Sequence, residues 1–231
     1  MSLFDTTKLP CPLCGTETSF NAVHSVNVDR RPELRDQILE GTFQQEACGA
    51  CGKTFRMDPQ FTYVDLGRRQ WIAVYGRDEL DQWGMLEGEV SELYDSAFGK
   101  NAPPLAQGLA VGVTPRLLFG WPALWEKLSL DDHGLDEVQM QLFKTGLLRN
   151  MEESPLGPGS ELRFLEVPPD RPDQLSLAWL DSDTADFIEG LLVPRALYDE
   201  VALRAEAWQP LRSELEGRLF LDMQRLITAS T

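Results

Sequence analysis

Histidine is nearly missing from this chain. Two occur in 231 residues, His24 and His133, and none follows position 133. A Ser/His/Asp or Cys/His catalytic arrangement would have to use one of these two, so the common nucleophilic and acid–base machinery has little to draw on. Loops of the G-x-G-x-x-G or Walker type are absent, which leaves nucleotide phosphates without an evident cradle. No run approaches the roughly 20 consecutive apolar residues of a membrane span, and the start MSLFDTTKLP lacks the basic stretch and apolar run of a signal peptide. A cytoplasmic location is the expectation.

Positive charge is also scarce: 21 Lys/Arg stand against 37 Asp/Glu, a net charge of −16. The deficit is uneven, because residues 1–76 hold 8 Lys/Arg and 9 Asp/Glu whereas residues 77–231 hold 13 and 28. Nucleic-acid affinity comes largely from cations that neutralise phosphates, so a nucleic-acid partner is not expected. A protein partner, a basic one in particular, fits this charge, although solubility is its simplest consequence.

Cysteine is limited to four residues, and all four fall in two pairs of one form: Cys11-Pro12-Leu13-Cys14-Gly15 and Cys48-Gly49-Ala50-Cys51-Gly52, with 33 residues between them. Two thiolates three positions apart on a tight turn can reach one ion, and the glycine that follows permits the positive φ such a turn needs. Two turns brought together supply four thiolates around one ion and leave no open coordination position, so the pairs read as one structural zinc site. The competing readings are a redox pair and four ordinary thiols. A thioredoxin-like centre needs its Cys-x-x-Cys in a strand–helix unit, and no convincing helix follows either pair.

Around these pairs the pattern is that of strands. Phe20, Ala22, His24, Val26 and Val28 alternate with mostly polar residues, which places His24 on the apolar face. Pro32, Leu34, Ile38, Leu39 and Gly41 mark a short helix. Segments 43–47, 53–57, 61–66 and 70–75 read as further strands of a small antiparallel sheet. From Asp78 the period changes: Leu80, Trp83, Leu86, Val90, Leu93, Tyr94 and Phe98 follow helical steps, and Gly99 stops them. Residues 100–115, with three prolines and two glycines, read as a loop. Helices are expected over 122–128 and 135–149, a linker over 151–160, a hairpin over 161–167 and 174–180, and helices over 194–208 and 210–227. The last carries a stripe of Leu211, Leu215, Leu219, Met223 and Leu226. The acidic run Asp181 to Asp186 fails as a calcium loop, since Asp186 stands where glycine and Leu192 where glutamate is required, and it reads as a cap for a helix starting at Phe187.

The expected class is therefore α+β: a zinc-ribbon-like sheet over 8–76 with a short helix, a helical part over 77–149, and an acidic C-terminal hairpin with helices over 161–231. The run Cys11 to Gly15, then Val26-Asn27-Val28-Asp29, Pro32-Glu33-Leu34, Ile38-Leu39, Gly41 and Cys48 to Gly52, resembles the bacterial and archaeal CpXC domain. Phe119-Gly120, Leu124, Glu126-Lys127 and Gly134 to Glu137 extend the resemblance, which covers 8–149. It implies a fold and a bound metal but no reaction. Gly49 departs from the proline usual in the second motif.

Three functions follow. A non-catalytic protein-interaction module, acting as regulator, adaptor, inhibitor or chaperone, agrees best with closed metal ligation and the missing catalytic set. An enzyme would use carboxylates, with His133 or Arg116, between the ribbon and the helical part. A nucleic-acid-binding ribbon would need Arg30, Arg31, Arg35, Arg56, Arg68 and Arg69 on one exposed face. The sequence leaves the oligomeric state open.

Overall fold

The alternation around Phe20 becomes the second strand of a five-stranded sheet in a computed structural model that describes residues 3–151 and 159–225. The chain forms two units, 1–120 and 121–231. The first contains β1 (Leu3–Pro10), β2 (Glu17–Asn27), α1 (Glu33–Leu39), β3 (Gln45–Ala47), β4 (Thr54–Arg56), β5 (Phe61–Asp65), β6 (Gln70–Tyr75), a 3₁₀ turn (Arg77–Gln82), α2 (Trp83–Ala97), α3 (Pro104–Leu109) and β7 (Thr114–Phe119). The sheet runs β1-β2-β5-β6-β7, and β3 and β4 form a ribbon of their own. β1/β2 and β5/β6 are antiparallel, as expected of hairpins, but β2/β5 and β6/β7 are parallel.

Parallel neighbours need a crossover. The first crossover carries α1 and the β3–β4 ribbon, and the second carries α2 and α3, so the inserted elements dictate the mixed sheet. α3 and the first two residues of β7 fall in the stretch 100–115 whose prolines and glycines read as a loop. Pro115 lies near the start of β7, where the lost N–H costs least, and Pro104 opens α3, where its fixed φ suits the first turn. His24 corrects the sequence reading. A register shift in the β1–β2 pairing, where Leu3 meets Ser25 but Phe4 meets Val23, makes β2 one residue longer at His24. The buried residues become Phe20, Val23 and Val26, and His24 faces solvent.

The second unit comprises α4 (Gly120–Asp132), α5 (Glu137–Asn150), β8 (Ser160–Glu166), β9 (Gln174–Asp181), β10 (Phe187–Pro194), α6 (Arg195–Leu203) and α7 (Ala205–Leu215). Its strands form an antiparallel sheet in the order β10-β9-β8. Leu142 and Phe143 of α5, Phe164 of β8, Leu177 and Trp179 of β9 and Tyr198 of α6 share one core. Asp136 caps α5 by accepting from the Gln139 N–H at 2.7 Å, and Tyr198 Oη accepts from the Asp136 N–H at 2.8 Å, which ties α6 to that helix start.

Two expectations change here. Asp181 accepts from the N–H groups of Asp183 and Thr184, and its own N–H bonds to Asp186 O, so the acidic run closes a β9–β10 hairpin rather than starting a helix. Gly190 and Pro194 had hidden β10 from a propensity reading. α7 stops at Leu215 and Gly217 takes φ 83°, so the leucine stripe is not one helical face. Leu226 and the linker residues 152–158 lie outside the described residues.

A buried ionic network lies within this unit. Arg163 of β8 binds Glu126 Oε2 at 3.0 Å, Glu161 Oε2 at 2.7 Å and Asp222 Oδ2 at 2.5 Å, while Lys144 pairs with Glu126 Oε1. Gln224 donates to Glu161 at 2.6 Å, and the Met223 N–H donates to Gln141 at 3.2 Å. All seven of these polar side chains are buried. Removing charges from water costs more than a simple pair regains, so such a set holds only when nearly every lone pair has a partner. Here it fastens segment 222–224 to β8, α4 and α5. Among the described residues no helix is long and apolar enough to cross a membrane.

Candidate metal centre

Each Cys-x-x-Cys forms the tip of an antiparallel hairpin. Pro10 pairs with Glu17 below the first tip, and Ala47 pairs with Thr54 below the second. The two tips repeat one hydrogen-bond pattern. Cys11 O accepts the Gly15 N–H at 2.8 Å and the Cys11 N–H bonds to Thr16 O at 3.0 Å; Cys48 O accepts the Gly52 N–H at 2.8 Å and the Cys48 N–H bonds to Lys53 O at 2.9 Å. Gly15 and Gly52 adopt φ of 71° and 70°, the left-handed conformation that a side chain would resist. The departure at Gly49 leaves this geometry intact.

Behind the tips, Phe20 of β2 meets Phe55 of β4 edge to face with centroids 5.0 Å apart, which joins the two hairpins. The four Sγ atoms then lie within 4.8 Å of one another. Cys14 Sγ and Cys48 Sγ are 3.8 Å apart, about the edge of a tetrahedron with ~2.3 Å metal–sulfur bonds. In each pair the first cysteine is buried and the second exposed, with Cys11 and Cys48 both 1% accessible. The Leu13 N–H points at Cys11 Sγ from 3.4 Å, the donor such turns offer a thiolate.

The sulfurs share an unequal burden of charge. Hydrogen bonds from the Thr16 hydroxyl and backbone hold the Cys14 thiol down at about 6, and the backbone N–H groups of Cys51 and Ala50 lower that of Cys48. The Lys53 backbone favours the Cys51 thiolate too, but loss of water and the neighbouring sulfurs outweigh it and push that thiol up to about 11. Four thiolates within one sphere repel each other, and a cation at its centre removes the conflict. The donor set is four sulfurs close enough to share one ion, which suits zinc or iron and poorly suits magnesium or calcium. All four cysteines singled out in the sequence are brought together here.

The other candidates are dispersed. His133 Nε2 accepts the Val167 N–H at 3.3 Å and its ring stands edge-on to Phe164 at 5.9 Å, so this imidazole is used within the fold. Arg35 is buried and Arg56 donates to Phe43 O at 2.9 Å, which removes two arginines from any shared exposed face. The residues that sequence reasoning passed over are Lys144, Glu161, Arg163 and Asp222, and Glu126 entered only through the resemblance, with no role assigned. Glu161 and Arg163 alternate with Leu162 and Phe164, a pattern that reads as a solvent face and carries no signal of burial.

No curated protein and no solved structure gives a significant match to the chain. A family model described as CpXC protein matches residues 9–144, more than half of the sequence, and spans both cysteine tips through to Lys144 in α5. On that match, and with the four sulfurs gathered as the motif demands, the chain belongs to the CpXC family.

Proposed function

We propose that the chain is a non-catalytic, zinc-stabilised module that binds another protein, as a regulator, adaptor, inhibitor or dedicated chaperone. The observation that carries this reading is the convergence of all four sulfurs on one point. An ion held by four protein thiolates keeps no position for water or substrate, so its contribution is to folding. Zinc is the metal of choice because a redox-inert, tetrahedral ion with thiolate preference fits a purely structural role. It contributes on the order of 10 kcal/mol in small domains of this kind.

An enzymatic reading gains little support. A cavity of about 320 Å³ between α5, α6 and α7 is walled by Phe143, Leu147, Val201 and Trp208, and the charged pair at its rim, Arg204 with Glu200, is exposed and self-paired. That is a surface for apolar contact rather than a set of convergent acid–base groups. The acidic second unit, with 10 Lys/Arg against 21 Asp/Glu over 121–231, favours a basic protein as partner.

Affinity isolation of the tagged full chain from its native cells tests the proposal. One protein recovered at a fixed ratio to the bait is the expected result. Repeated recovery of the chain alone, or a turnover activity lost on substitution of buried carboxylates without loss of folding, contradicts it.

A further inference from the structure

The outer edge of β10 carries no partner strand among the described residues. On its inner side β10 is laddered to β9 from Phe187, opposite Leu180, to Pro194, opposite Gln174. The other side presents a row of backbone donors and acceptors. Natural sheets blunt such edges with lysines, prolines, β-bulges, inward charges or extreme shortness, because an open edge templates the addition of another strand. β10 is eight residues long and its single charge is Glu189. The irregularity between Phe187 and Glu189 and the missing N–H of Pro194 close its ends, which leaves 188–193 open.

The side chains of this strand divide by face. Leu191 and Val193 pack against the core of the unit. Ile188 and Leu192 are 50% and 52% exposed, and Phe187, 65% exposed, folds over Gly190 so closely that a Cβ there would lie 3.3 Å from its ring. Three large apolar groups beside an open edge form what strand addition requires: main-chain bonds supply affinity, and alternate side-chain positions supply selectivity.

Charge identifies the occupant. Asp183 and Asp186 lie in the turn leading into the strand and Glu189 within it, in a unit with 10 Lys/Arg and 21 Asp/Glu. A second copy would bring a like-charged surface to this edge and is disfavoured, whereas a segment with cations between its apolar residues gains from every acid nearby. We infer that the β10 edge accepts an extended strand of a partner protein in which apolar residues alternate with lysine or arginine. This inference rests on the reading of the chain as a protein-binding module.

The test uses the full-length protein and a labelled, capped nine-residue peptide alternating Lys and Val. It is expected to bind, to slow amide exchange at 188–193, and to bind at least tenfold more weakly to Ile188→Asn/Leu192→Asn, whose melting temperature stays that of the parent because both positions are exposed. A Glu/Val analogue, and a Lys/Val peptide with two central valines changed to proline, should bind at least tenfold more weakly to the parent. Equal binding of the proline peptide, protection elsewhere than 188–193, or no binding overturns the proposal. So does a concentration-dependent dimer of the parent that the double variant abolishes, since the occupant would then be a second copy. Isolation from native cells separates the two readings. A partner held equally by parent and double variant overturns the edge assignment and leaves protein binding standing; no partner on either defeats protein binding, and the peptide then decides the edge alone.

Discussion

At Gly15 and Gly52 the demands on a single residue are plain. Both stand at φ near 70°, and a Cβ added at either would meet nothing within 4 Å. The obstacle to substitution is therefore conformational: a left-handed backbone costs an L-residue about 1–2 kcal/mol. Gly15→Ala and Gly52→Ala should each lower stability by about 1 kcal/mol, read as a lower melting temperature of the metal-loaded protein, with metal content unchanged. These glycines were legible because their place after the second cysteine has one geometric purpose. His24 was not, since the extra residue that turns it outward is set by pairing with β1, and alternation within one strand holds no record of its neighbour's register.

Among the elements, the hairpins that carry cysteine tips could be inferred from spacing, while β7 and β10 could not. In each, a proline or glycine suppresses the local strand signal and pairing with a neighbour outweighs it. The β9–β10 turn shows how such a hairpin closes. Asp181 gathers two N–H groups, and Ala185 is held at φ 61°. Ala185→Gly relieves that strain at the cost of a freer unfolded chain, and the balance is an expected gain of about 0.5 kcal/mol in urea unfolding. A loss of stability there would mean that the methyl group, not the backbone, maintains the turn.

For the molecule as a whole, the two units are secured by different means. The second depends on charges that its sequence presents as surface. Arg163 faces three buried carboxylates, so Arg163→Leu, which leaves Glu126 only Lys144, Glu161 only Gln224 and Asp222 without its bonded cation, is expected to cost about 3–5 kcal/mol in denaturant unfolding. Burial alone would raise the Asp222 carboxyl, but Arg163 and Lys144 hold it below the usual carboxylate range. A carboxyl depressed in the folded state contributes stability that is complete above its unfolded pKa of about 4 and fades as pH falls through the lower folded value. The stability difference between the parent and Asp222→Asn should accordingly be widest near neutrality and shrink below about pH 4. A difference that grows on acidification would reverse this account.

On the proposed reading, the first unit depends on a metal held by its four cysteines. Metal analysis of the purified chain, coupled to thermal melting before and after chelation, tests that centre most directly. The expected result is one zinc per chain, lost together with the fold of 1–120 on chelation or in Cys14→Ser and Cys51→Ser. A chain that is metal-free and still fully folded would contradict it.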